Sequence, residues 1–244
     1  MTVTRTETVD TASGPMRIAL ALPEGDRPRQ GWPGVLVVHE LFGLRDEIRR
    51  VGDRFAERGW AAAMPDLFST GNAPACAFRA MREVMGGRPG DVTAQVEDSR
   101  SWLAALPQVD GDRLAVIGFC MGGAFALLLG GTAPQGLRAV SANYGTTPRE
   151  ESLRGCPPVV AAFGGQDKAV GGREAAKLER ALESLGIEHD VRTYPQAGHS
   201  FLTDGKHSPL LKAVTFPLRA GFVGDAAEPE WARIFAWLDT HVAA

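Results

Sequence analysis

"DRLAVIGFCMGGAFALLLGG", residues 112–131, decides how the chain is read. "RLAVIGF" is a short apolar run that suits a buried strand, and "MGGAFALLLGG" suits an apolar helix. Cys120 stands between them, inside a Gly-x-Cys-x-Gly pattern running from Gly118 to Gly122. A sharp strand-to-helix corner needs small residues two before and two after the turning residue, because larger side chains would clash. The corner also puts the thiol at a helix N-terminus, where partial positive charge favours a thiolate. The alternative is an inert cysteine filling a tight buried turn.

Outward from this corner, strands and helices alternate. "TETVDTASGPMRIALALPE" alternates on either side of a Gly-Pro turn and predicts a hairpin. "VLVVHE" is a continuous apolar run, as expected of a strand buried on both faces. "LRDEIRRVGDRFAERG" places Leu44, Ile48, Val51 and Phe55 on one helical face, with Gly59 as its stop. "WAAAMPDLF" is the next strand. "STGNAPACAFRAMREVMGGRPGD" holds so much Gly, Pro and Ala that it predicts an irregular stretch with one short helix. "VTAQVEDSRSWLAALP" is a helix stopped by Pro107. "LRAVSANYG", "PPVVAAFGG" and "HDVRTYPQAGH" are further strands, with the helix "GREAAKLERALESLG" between the last two. A second irregular excursion covers about residues 200–220, and "EPEWARIFAWLDTHV" closes the chain as an amphipathic helix. The fold expected is α/β: a mostly parallel central sheet with helices on both faces, forming one domain over residues 1–244.

The composition excludes several classes. The 244 residues are 44% hydrophobic and 23% charged, enough apolar material for a sizeable core. A net charge of -3 with no basic patch gives no nucleic-acid footprint. "RTETVD" lacks the apolar core of a signal peptide, and runs such as "AFALLL" are too short to span a bilayer. Cys76, Cys120 and Cys156 form neither a CxxC pair nor a disulfide framework, so a soluble, cytoplasmic protein is expected. "HELFG" is not a zinc motif, since Gly43 stands where HExxH needs histidine; no metal and no cofactor are expected.

Ligands of open α/β sheets lie at the carboxyl ends of the strands. Four reactive residues follow strands: Glu40, Cys120, Asp167 and His199. The order nucleophile, acid, histidine is that of an α/β-hydrolase triad. A catalytic histidine needs a carboxylate on one ring nitrogen, which Asp167 would supply. Taken singly, Asp167 also reads as a helix N-cap, His199 as a loop histidine and Glu40 as a solvent-facing carboxylate. His189, His207 and His241 fit a site less well.

"HELFGL", "GFCMGG", "GGQDK" and "GHSF", in that order, resemble the dienelactone hydrolase family over nearly the whole chain. The resemblance implies a triad of Cys120, Asp167 and His199, with Glu40 controlling the thiol. It also implies an oxyanion hole from the N–H groups of Leu41 and Met121. Independently of the family, a carboxylate beside a thiol can accept its proton and disfavours a free-standing thiolate. In family members acting on the acidic lactone, an arginine lies four residues beyond the histidine; this chain has Thr203 there, followed by Lys206. Arg79 and Arg82 are candidates for a second arginine or else exposed residues on a short helix, and Phe42, Phe68 and Phe201 flank the site as an apolar lining or else belong to the core, as aromatics near strand ends more often do. The expected activity is hydrolysis of small carboxylic esters or lactones by a monomer or homodimer. A non-catalytic small-molecule binding protein on the same scaffold is the alternative. A redox cysteine protein is disfavoured because no resolving cysteine is evident.

Overall fold

The computed structural model describes residues 3–168, 170–204 and 221–242. Strands β1 (Val3–Thr11) and β2 (Gly14–Leu22) form the expected hairpin. Then follow β3 (Trp32–Val38), α1 (Asp46–Ala56), β4 (Ala61–Pro65), α2 (Ala73–Gly86) and α3 (Asp91–Ala104). The second half comprises β5 (Val109–Phe119), α4 (Met121–Gly131), β6 (Leu137–Asn143), a 3-10 turn (Glu150–Leu153), β7 (Val159–Gly164), α5 (Gly172–Ser184), β8 (His189–Tyr194) and α6 (Gly224–Val242). The sheet order is β1-β2-β4-β3-β5-β6-β7-β8. β2 runs antiparallel to both neighbours, and β3 to β8 pair in parallel.

The continuous apolar runs arise because the sheet has a core on each face, and the two-residue strand period deals alternate residues to each. Leu36, Val38, Leu114 and Val116 face one core, completed by α2 to α5 through Val84, Val96, Phe125 and Leu178. Val35, Val37, Ala115 and Ile117 face the other, completed by α1 and α6 through Phe55, Trp231 and Phe235. Helix α4 is buried from Met121 to Gly130, since α2 and α3 cover the side it turns away from the sheet. A helix apolar all round requires such enclosure.

Two expectations need correction. The stretch after β4 holds a regular 14-residue helix, α2. Asn72 Oδ1 accepts from Ala75 N–H at 3.2 Å, Pro74 occupies the first turn, and Gly87 closes the helix at φ 65°. Its Asn, Pro and Gly residues are therefore caps, not breakers. Helix α6 begins at Gly224, four residues before the expected Glu228, and carries Pro229 inside it. Burial of Ala226 and Ala227 fixes that extra turn, with both amides donating to Val223 C=O. Most of the second excursion, including Lys206 and His207, lies outside the described residues.

A buried ionic cluster ties α6 to the sheet. Arg233 donates to the carbonyls of Ala161 and Asp190 at 2.8 Å each and pairs with Glu230 at 2.6 Å. Glu230, fully buried, also accepts from Tyr194 O–H at 2.5 Å. Arg233→Ala should destabilise the fold by about 3–5 kcal/mol, because it leaves a buried carboxylate without its cation. The double change Glu230→Leu with Arg233→Met should recover most of that loss. Urea denaturation of both variants checks this; an Arg233→Ala midpoint like that of a surface substitution would refute it.

Candidate active site

One residue separates β5 from α4. Cys120 has φ 54° and ψ -118°, a backbone region that side chains with a Cβ avoid at about 1–3 kcal/mol. The surroundings hold it there. Its N–H donates to Asn143 C=O and its C=O accepts from Gly123 N–H, both at 3.0 Å. A Cβ on Gly118 would lie 1.9 Å from Gly122 O, and one on Gly122 would lie 2.2 Å from Val38 O. The glycines are thus demanded by backbone packed against backbone. Cys120 is partly exposed, whereas Cys76 and Cys156 are buried and all three thiols are free. Burial pushes the Cys156 thiol up to about 12.

Two loops beyond β7 and β8 are laced together by their own backbones. Gly165 N–H donates to Tyr194 C=O at 2.8 Å and Gln166 N–H to Ala197 C=O at 2.9 Å. Gly164 permits this approach, since a Cβ there would sit 2.3 Å from Gly198 O. The lacing brings Asp167 Oδ2 to 2.6 Å from His199 Nδ1, while Asp167 Oδ1 accepts from Val170 N–H at 3.1 Å. Asp167 therefore serves both its turn and the histidine. The Cys120 sulfur also acts electrostatically on the imidazole. Burial alone would lower the His199 pKa, but Asp167 and the Cys120 sulfur outweigh it and raise it from 6.5 to about 10. The stability this contributes is complete below 6.5 and is lost as pH rises through about 10.

Glu40 follows β3 and is 4% exposed. Its Oε1 accepts from Thr203 Oγ1 at 3.1 Å and Tyr144 O–H at 3.4 Å, and Ser200 adds a side-chain hydrogen bond. Its partners are thus neutral hydroxyls, with Cys120 not among them. Burial raises its pKa, against a smaller lowering by the His199 charge and the Ser200 and Thr203 hydrogen bonds. Tyr144 was not foreseen from sequence. Its ring stands edge-on to His199 at 5.2 Å, and its hydroxyl feels both Glu40 and the Cys120 sulfur. Its only sequence cue is its place immediately past a strand end. Four non-glycine residues have positive φ among the described residues, and three of them are Cys120, Tyr144 and Ser200.

The remaining expected residues divide. Leu41 and Phe42 lie at the surface, 36% and 37% exposed, on a loop closed by Gly43 N–H donating to Glu40 C=O at 3.1 Å. Met121 opens α4, so its N–H has no intrahelical acceptor. Phe201 is corrected: the left-handed turn at Ser200 sends it fully into the core between Tyr144 and Tyr194. Phe68 packs edge-on against His39. Arg79, on α2, donates to Cys76 Sγ at 3.3 Å, and Arg82 is exposed on the same helix. Among the described residues no group of three acidic, histidine or cysteine side chains could hold a metal, and no helix is long and apolar enough to cross a membrane.

This strand order, with a cysteine elbow beneath a His–Asp pair, defines an α/β-hydrolase. The chain belongs to the dienelactone hydrolase family, whose model matches residues 17–242. It is accordingly an enzyme of the hydrolase class. Its relatives include a Yersinia pestis protein assigned as a carboxymethylenebutenolidase, 27% identical over 86% of this chain and 79% of that one. An Escherichia coli K12 protein of the same assignment is 28% identical over the same shares. A dienelactone hydrolase-like promiscuous phosphotriesterase, P91, from metagenomic libraries superposes with a TM-score of 0.79 at 25% identity, covering 98% of both chains. The dienelactone hydrolase of Anabaena variabilis shares the fold, with a TM-score of 0.65 at 21% identity over 88% of this chain and 94% of that one.

Gly118→Ala should prevent the corner from closing, and its melting midpoint should fall well below that of the unaltered chain. Gly86→Ala, where a Cβ meets nothing within 4 Å, should instead stabilise, by roughly 0.5–1 kcal/mol. Paired thermal melts decide; equal midpoints would refute the steric account. The raised Glu40 pKa gives a further expectation. A carboxyl group whose ionisation burial disfavours weakens the fold once pH exceeds its unfolded value. Glu40→Gln should therefore melt higher than the unaltered chain at neutral pH, with the gap closing below 4.5. Melting curves across pH check this, and a gap that widens on acidification would contradict it.

Proposed function

We propose that the protein hydrolyses small, uncharged carboxylic esters or lactones through an acyl-enzyme on Cys120. The observation that carries this reading is the 2.6 Å His199–Asp167 pair, whose imidazole is also acted on by the Cys120 sulfur at the strand-to-helix corner. The Cys120 thiol gives its proton to His199, its sulfur attacks the carbonyl carbon, a C–S bond forms, and the carbonyl π pair moves onto oxygen. The N–H groups of Leu41 and Met121 hold that oxyanion. Collapse expels the alkoxide, which takes a proton from the His199 imidazolium. Water, giving its proton to His199, then cleaves the thioester and returns the thiol. Asp167 keeps the imidazole in the required tautomer. Glu40 acts at one remove, through Tyr144, whose hydroxyl donates to its carboxyl and whose ring stands edge-on to His199.

The preference for an uncharged substrate rests on the cations. Thr203, where acidic-lactone enzymes of the resembled family place arginine, is buried and spends its hydroxyl on Glu40. Arg79 is turned to Cys76. A hydroxyl offers neither the charge nor the paired planar donors that hold a carboxylate. Leu41 and Phe42 offer an apolar rim instead. We also read the chain as one domain, since all eight strands join one sheet, and as cytoplasmic, since its three cysteines are free.

Cys120→Ala should lower kcat for a small ester by roughly 10³-fold or more, and Cys120 should be the first thiol alkylated. For the unaltered chain, kcat/KM for a neutral ester should match or exceed that for a dienelactone bearing a carboxylate. An active Cys120→Ala would end the covalent mechanism. A preference for the acidic lactone that vanishes in Arg79→Ala or Arg82→Ala would overturn the substrate call alone.

A further inference from the structure

His39 is fully buried at the end of β3, outside the Cys120–His199–Asp167 chain, yet both its ring nitrogens are engaged. Nδ1 lies 2.6 Å from Glu40 O, and Nε2 lies 3.1 Å from Leu67 N. Leu67 N–H can only donate, so Nε2 must carry the lone pair and the ring proton must sit on Nδ1. His39 is therefore a neutral imidazole donating to the Glu40 carbonyl, and burial, which lowers its pKa, keeps it neutral. Glu40 C=O and Leu41 N–H belong to one planar trans peptide and point in opposite directions. Whatever anchors the carbonyl also aims the amide. Gly43 N–H grips the same oxygen from within the loop, at 3.1 Å. His39 grips it from the rigid end of β3, with Phe68 edge-on to the ring and Leu67 fixing the ring's far nitrogen. No loop acceptor takes the Leu41 N–H among the described residues, so this donor is free to face the site.

We propose that His39 is a positioning residue that aims, and by hydrogen bonding to its carbonyl polarises, the peptide whose Leu41 N–H serves as oxyanion donor. The inference rests on the reading of Leu41 and Met121 as the oxyanion hole. The loop carrying Leu41 is exposed and contains Gly43 at φ 82°, so on its own it would leave the donor loosely directed. A misdirected donor stabilises the ground state about as well as before and the tetrahedral state less.

The test uses His39→Phe, which removes both hydrogen bonds, and His39→Asn, whose amide N–H can replace Nδ1–H but offers nothing at the Leu67 side. With a small ester, His39→Phe should lower kcat by about 10- to 100-fold, short of the loss when an oxyanion donor is deleted outright, with KM nearly unchanged. Affinity for a trifluoromethyl ketone should fall in parallel. His39→Asn should regain most of kcat. Nitrogen-15 NMR of the unaltered protein, with the His39 signals assigned by their loss in the Asn variant, should show the Nδ1–H tautomer at neutral pH. An unchanged kcat in His39→Phe, an Asn variant as slow as the Phe variant, or an Nε2–H or imidazolium form would each overturn the proposal. Should His39→Phe fail to fold, the tautomer and the Asn variant's kcat still decide. An active Cys120→Ala would instead remove the covalent reading on which it rests.

Discussion

The backbone of Cys120 must reverse a buried strand into a buried helix within a single residue, at a φ that its own Cβ disfavours. Two other strands and the helix itself make this tolerable. Asn143 at the end of β6 takes the Cys120 amide, Val38 at the end of β3 leaves room only for a glycine at 122, and the first turn of α4 closes on the Cys120 carbonyl. The same contacts that confine the corner define the site, because the end of β3 also carries His39 and Glu40 and the residue after β6 is Tyr144. The strain is thus supported by the elements that supply the chemistry.

Around this corner the charges are arranged unevenly. His199 is drawn toward its protonated form by a carboxylate at 2.6 Å and by the sulfur. Glu40, equally buried, is met by hydroxyls and has no cation bonded to it among the described residues. One acid is paired and the other is held out of water by neutral donors, so two carboxyl groups in one site take opposite tendencies. Such divergence of environments lets neighbouring groups hold different protonation states at one pH.

The corner, the alternation of strands and helices and the four strand-end residues were legible in the sequence because each rests on a local rule. A run of apolar residues with glycines at fixed offsets admits few conformations, and alternation of strand and helix restricts the topology. Helix α2 was misread because Asn72, Pro74 and Gly87 carry the composition of a loop while acting as caps, and the distinction lies in spacing. Tyr144 gave no motif: a tyrosine after a strand becomes informative only once β6 is seen beside β5. Phe201 is two residues from His199 and was expected at the site, but the positive φ of Ser200 turns it the other way. That turn depends on the packing of two loops distant in sequence. The start of α6 was likewise set by tertiary burial of two alanines rather than by any cap.

The enclosure of α4 bears on how the enzyme fails. Its first turn follows directly on Cys120, and the helix is sealed by the sheet on one side and by α2 and α3 on the other. Segments enclosed in this way open only with the whole cooperative unit, whereas exposed loops open alone. Amide hydrogens along Met121–Gly130 should accordingly fall in the slowest-exchanging class, beside the thiol proposed above as the nucleophile. Heat or denaturant would then silence the site through collapse of the entire sheet-and-helix body rather than by fraying of the elbow.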